Sequence, residues 1–252
     1  MVFEVSYYRS NLMEIPFLSS RFISKSLLTG FFIIASNSCE DNKPVLNPDY
    51  TGQTGQVADI DGNIYKTIGI GSQIWMAENL KTTALNDNTP IPIVLDDSTW
   101  AASHSLGYSW YNNDSIINKK VYGALYNFYV VQTGLLCPSG WHVPDESEWN
   151  TLESFLGGSE IAGGKLKDYY KSYWKDPNPC LVNNYGFYAL PGGERLNYSG
   201  DFFQIGEIGS WWTKTAKNDF YAYSRSMSCS DKALRTFEIS KKRGCSTRCI
   251  KD

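Results

Sequence analysis

The chain has 252 residues and a formal net charge of −3, from 23 Lys and Arg against 26 Asp and Glu. Charged residues make up only 19% and no long basic run occurs, which excludes the electrostatic footprint of a nucleic-acid-binding protein. Aromatic residues reach 15%, with 17 Tyr and 8 Trp, and the length suffices for one domain whose core does not depend on disulfides.

Residues 1–38 read as a targeting segment. Arg21 and Lys25 precede the apolar run Leu27–Ala35, which is too short to span a bilayer and fits the core of a signal peptide. Ser36-Asn37-Ser38-Cys39 then resembles a bacterial lipoprotein cleavage site, with Cys39 as the lipidated first residue of the mature chain. It departs from that pattern at Asn37, and at Ser36, where Leu is preferred; an ordinary signal peptide or a buried helix is the alternative. Glu40-Asp41 follows and resembles the surface-export signal of Bacteroidota lipoproteins, so the expected location is the outer membrane, lipid-anchored, on the cell surface. Residues 39–56 are rich in Asn, Asp, Pro, Gly and Thr without apolar periodicity, and read as a tether.

The folded domain is expected from 57 to 252. Asp61-Gly62 between two β-rich runs predicts a hairpin. Asp59, Asp61 and Asn63 alternate like calcium ligands, but the loop lacks a closing Glu and reads as a turn. Gln73–Met76 is the next strand. Residues 81–121 are irregular, and their Trp100, Trp110 and Tyr111 suggest an ordered loop. Tyr122 to Val131 reads as a helix with Tyr122, Leu125, Tyr126 and Tyr129 on one face.

From Leu136 to Trp149 a loop turns into a second helix. Pro138, Gly140 and Pro144 break earlier structure, Asp145 stands at the N-cap position, and Glu148 completes a carboxylate capping box. Trp149, Leu152 and Leu156 recur at helical spacing, Phe155 widens that face, and Gly157-Gly158 ends the helix. The tail carries three β-rich runs, 220–228, 233–239 and 245–250, which predict an antiparallel meander. The fold class is therefore α+β: a single compact domain with antiparallel sheets, two main helices and long ordered loops.

The string CPSGWHVPDESEWNTLESFLGG (137–158) resembles the signature of the Fibrobacter succinogenes major paralogous domain, a family of secreted and lipid-anchored bacterial proteins. Four further blocks fit in order: DIDGNIYKTIGIGSQIWMAENL (59–80), YGALYNFY (122–129), YGFYALPGGER with GDFFQIGEIGSWWT (185–213), and STRCIKD (246–252). The resemblance implies a fold related to C-type-lectin-like domains and to formylglycine-generating enzymes; it names no activity. It also implies a disulfide between Cys137 and Cys249, which stand in the two blocks where the family has cysteines. Cys180, Cys229 and Cys245 are extra to its pattern.

Chemistry is sparsely signalled. The copper-binding cysteine pair of formylglycine-generating enzymes has no counterpart, since Cys229 stands alone in that neighbourhood. His104 and His142 are the only histidines, too few for a His-rich metal site, so no metal or other cofactor is expected. Asp145, Glu148, Glu194 and Glu207 are the carboxylates that a polysaccharide-acting hydrolase would need. The favoured reading is a non-catalytic surface binding domain for an extracellular glycan or a surface protein, with the membrane reached only through the lipid. Its contacts are expected from Trp100, Trp110, Tyr111, Trp211 and Trp212, because large amphipathic rings dominate such surfaces. Adjacent strand residues face opposite ways, so one of Trp211 and Trp212 is expected to face outward. The calcium-lectin sugar motif is absent, and a purely structural surface module is the remaining alternative.

Overall fold

A computed structural model describes residues 47–168, 173–177 and 185–252. The chain divides into two units, 1–45 and 46–252, and the described residues belong to the second. The expected signal segment, Cys39 and Cys180 lie outside the described residues.

In chain order the elements are β1 (Thr54–Ala58), β2 (Ile64–Ile70), β3 (Gln73–Met76), α1 (Asp97–Ala102), β4 (Tyr108–Ser109), α2 (Ser115–Tyr122), β5 (Leu125–Tyr126) and α3 (Phe128–Val131). Then follow β6 (Trp141–His142), α4 (Glu146–Phe155), α5 (Ser159–Leu166), β7 (Glu194–Arg195), β8 (Phe202–Phe203), β9 (Ile208–Ala216), β10 (Tyr221–Ser228), β11 (Arg235–Ser240) and β12 (Ile250–Lys251). A five-stranded sheet runs β1-β2-β3-β12-β6 and a three-stranded sheet runs β11-β10-β9, all neighbours antiparallel. The class is α+β, as expected.

The hairpin at Asp61-Gly62 forms, and its Asp59 carboxylate is occupied by the turn: it accepts from the Asn63 amide N–H at 2.8 Å and from the Tyr65 hydroxyl at 2.5 Å. The domain starts earlier than expected, because Tyr50 N–H donates to Gly71 and β1 begins at Thr54. The capping box of α4 is present: Asp145 Oδ1 accepts from Glu148 N–H at 3.0 Å, and Glu148 Oε2 from Asp145 N–H at 2.8 Å. Trp149, Leu152 and Leu156 are buried, with the Trp149 ring 4.8 Å from that of Trp75. Phe155, by contrast, is 44% exposed and meets only the edge of this layer, beside Tyr185.

Three expectations are corrected. Residues 122–131 do not form one helix. Gly123 has φ of 74°, and a Cβ there would stand 2.5 Å from the Leu80 carbonyl, so α2 stops and the chain passes through β5 before Asn127 caps α3. Second, Ile161–Leu166, whose sequence Ile-Ala-Gly-Gly-Lys-Leu resembles a short turn of the same family, lies within a helix, α5. Gly163 lets α5 touch the Ala233 carbonyl, which a Cβ would meet at 2.3 Å. Third, the meander is β9-β10-β11 rather than the last three runs. The final run leaves that sheet: Cys245 bridges Tyr126, Ser246 bridges Trp211, and Ile250 lies between Trp75 and His142. Leaving the sheet carries Cys249 to Cys137, and the two form the disulfide implied by the resemblance, with Cα atoms 6.0 Å apart. Cys229 and Cys245 are buried free thiols.

Two apolar clusters fill the unit. Tyr65, Met76, Tyr126, Phe128 and Trp212 belong to one, and Trp75, Trp149, Phe187, Trp211 and Met227 to the other.

Candidate functional site

The five aromatic residues expected at a binding surface are all buried, and that expectation is corrected. Trp100 lies under the Arg195 guanidinium, 4.6 Å from its ring centre. Arg195 is itself buried and closes loop 81–121, donating to the carbonyls of Gly200 and Val94 and to the Asp97 carboxylate. Trp110 packs edge-on against Tyr108, and Tyr111 against Phe202. Trp211 and Trp212 do face opposite ways, as alternation requires. Both faces of β9 are covered, however: Trp211 enters one apolar cluster and Trp212 the other. Their indole N–H groups are satisfied inside, by Asn79 Oδ1 at 2.8 Å and the Tyr126 carbonyl at 2.7 Å.

Asn79 is a junction. Its Oδ1 also accepts from Arg248 Nε at 2.8 Å, while its Nδ2 donates to the Tyr122 carbonyl at 2.9 Å and to Ser246 Oγ. Arg248 donates from Nη1 and Nη2 to the carbonyls of Phe187 and Tyr188, and its guanidinium stacks 4.2 Å from the centre of the Phe187 ring. Burial pushes the Arg248 pKa down to about 9, against the opposing pull of Glu78 and Asp168. The sequence blocks that carry the family resemblance therefore meet here: Asn79, Tyr122, Phe187, Trp211 and Arg248 come from four of them.

This junction floors a groove. Its cavity of about 420 Å³ is lined by Lys66, Glu78, Lys120, Tyr173, Tyr188 and Arg248, among others. A second cavity of about 630 Å³, walled by Thr54–Gln56 of β1, shares Lys66, Ala77 and Tyr188 with the first, so the two adjoin. Tyr188 stands where they join, and its ring is 38% exposed. Its backbone is left-handed, with φ of 51°. For a side chain of this size that conformation costs roughly 1–2 kcal/mol and persists only when neighbours impose it. Arg248 imposes it here by holding both carbonyls of the Phe187-Tyr188 pair. The groove thus presents an exposed tyrosine ring, on a backbone held by Arg248, beside charged side chains.

The four carboxylates considered for hydrolysis are engaged elsewhere. Asp145 and Glu148 form the capping box, and Glu148 Oε1 also lies 2.7 Å from His142 Nε2. Glu194 pairs with Arg243 at 2.7 Å, and Glu207 with Lys175 at 2.9 Å. His142 is a half-buried member of β6, with Asp252 Oδ1 2.5 Å from its other nitrogen. His104 meets the Tyr129 hydroxyl at 3.1 Å.

Sequence reasoning missed Lys66, Lys120, Tyr173 and Tyr188. Lys66 and Tyr188 stood in quoted blocks, 59–80 and 185–213, but nothing local shows the Lys66 side chain to line a groove or the Tyr188 backbone to be left-handed.

Among the described residues no helix is long and apolar enough to cross a membrane. No curated protein and no solved structure matches the chain. The family model for the Fibrobacter succinogenes major domain matches residues 68–251, most of the described unit. The chain belongs to the Fibrobacter succinogenes major domain family.

Proposed function

We propose that this protein is a lipid-anchored binding domain of the outer cell surface, that it is non-catalytic, and that its glycan or protein ligand lies in the groove that Tyr188 divides. The observation that carries this reading is Tyr188 itself: an exposed ring held at a strained backbone position by a buried arginine. Strain of this kind has a cost that packing does not explain, since the ring is not part of either apolar cluster. A tyrosine side chain has only two torsions to order, so it loses little entropy when a ligand stacks on it. The engagement of Asp145, Glu148, Glu194 and Glu207 in caps and ion pairs supports binding over hydrolysis. The basic, apolar and small-residue order ending at Cys39 supports the anchor.

Two experiments test the reading. Replacing Cys39 by Ser should release the protein from membrane fractions, and a variant that remains membrane-bound contradicts the anchor. A glycan array probed with the compact unit, residues 46–252, should retain glycans without cleaving them. Cleavage of a polysaccharide that disappears in Glu194→Gln or Glu207→Gln would establish the hydrolase instead.

A further inference from the structure

We infer that the groove takes an anionic oligosaccharide, with its acidic groups met by Lys66 and Lys120 and a pyranose face stacked on Tyr188. The inference rests on the groove being the ligand site. Three cationic residues and two acidic ones line the first cavity, in a chain whose net charge is −3. What matters is which of these charges are already answered. Glu78 accepts from the Lys66 backbone N–H at 3.2 Å and lies 3.5 Å from the Lys81 ammonium. Asp168 is buried, and its charge acts on Arg248. Arg248 is buried and bonds through each of its three nitrogens, to Asn79, Phe187 and Tyr188. Lys66 and Lys120 differ: both are exposed at the cavity, and neither ammonium has an ion pair or hydrogen bond among the described residues. The acids of the groove are therefore neutralised from within, and the charge left for a ligand is positive.

The shape points to a chain rather than a single small anion. Past Tyr188 the groove continues into the second cavity along Thr54, Gly55 and Gln56, where no further cation lines it besides the shared Lys66. The acidic groups are thus met at the Lys66–Lys120 end, while neutral hydroxyl-bearing surface extends along β1. A tyrosine ring at the junction suits the apolar face of a pyranose. An acidic peptide would satisfy the lysines but has no planar apolar face to place there at each repeat.

Isothermal titration of residues 46–252 with three oligosaccharides of equal length tests this: an oligogalacturonate, a sulfated galactan fragment, and the neutral galactan. At least one anionic probe should bind, about tenfold or more tighter than the neutral one, and more weakly as salt is added. Carboxylate and sulfate are told apart by which probe binds. Lys66→Met and Lys120→Met, both at exposed positions, should each weaken that binding about fivefold while leaving melting unchanged. Equal affinity for the neutral probe, no binding of either anionic one, or equal binding of a polyglutamate peptide overturns the inference. If Tyr188→Asn abolishes binding but both lysine variants bind normally, the groove stands and its anionic preference falls. If none of the three variants matters, both fall.

Discussion

Arg248 donates its Nε–H to Oδ1 of Asn79 at 2.8 Å, joining residues 169 positions apart in the chain. The bond ties the last β run to the segment that follows the third strand and fixes the guanidinium that shapes the groove. Removing Arg248 would leave Asn79 short of a donor and two backbone carbonyls unanswered in a buried place. Arg248→Met should therefore cost about 3–5 kcal/mol, at the level of breaking a buried charged network. Arg248→Lys should recover little of it, because an ammonium cannot span Asn79 and both carbonyls in one plane. Urea unfolding of the two variants checks this.

Trp211→Ala and Trp212→Ala should each lower stability by about 3–5 kcal/mol, since both rings are fully buried and each would leave a cavity and lose its indole N–H bond. Thermal melting distinguishes this from the small change expected of a surface ring. A variant that melts like the wild type would show the ring to be exposed in solution.

The disulfide closes a separation of 112 residues. The chain-entropy argument assigns such a loop about 4–5 kcal/mol. A Cys137→Ala and Cys249→Ala double variant should lose stability on that scale, and non-reducing peptide mapping of exported protein should recover the linked peptides. Cys137 found as a free thiol would contradict the assignment.

Asp96 caps α1 and accepts from the Ser98 hydroxyl, from Thr99 N–H and from the Thr99 hydroxyl, which hold its pKa down at about 2 from an ordinary 3.8. A depressed carboxylate stabilises the fold above its unfolded pKa and loses that contribution as pH falls through its folded pKa. The stability gap between wild type and Asp96→Ala should thus be constant above about pH 5 and shrink between roughly pH 4 and 2. Urea midpoints across that range measure it; a gap that is flat to pH 2 would refute the cap's contribution.

Local features were legible in the sequence where the physics is local. Asp145 and Glu148 cap their own helix three residues apart, and Asp61-Gly62 turns its own hairpin, so both could be read directly. The Cys137–Cys249 pair was legible only through family resemblance, because nothing near either cysteine selects the other among six. Alternation correctly set Trp211 and Trp212 on opposite faces of β9. It carried no information that both faces would be covered, which follows from groups distant in the chain: Phe128 lies 5.3 Å from the Trp212 ring and the Arg248 guanidinium 5.8 Å from that of Trp211. Tyr188 was illegible for the same reason: the guanidinium that holds its backbone comes from 60 residues later.

The exposed ring of Tyr188 is proposed as the contact around which the ligand is bound. Asn tolerates the left-handed backbone and removes the ring, so Tyr188→Asn separates binding from folding. Titration of a glycan retained by the wild-type unit against this variant is the direct measurement. The variant should melt close to wild type, with binding weakened by roughly 1–2 kcal/mol or more, about tenfold. Unchanged affinity in a normally folded Tyr188→Asn variant would contradict it.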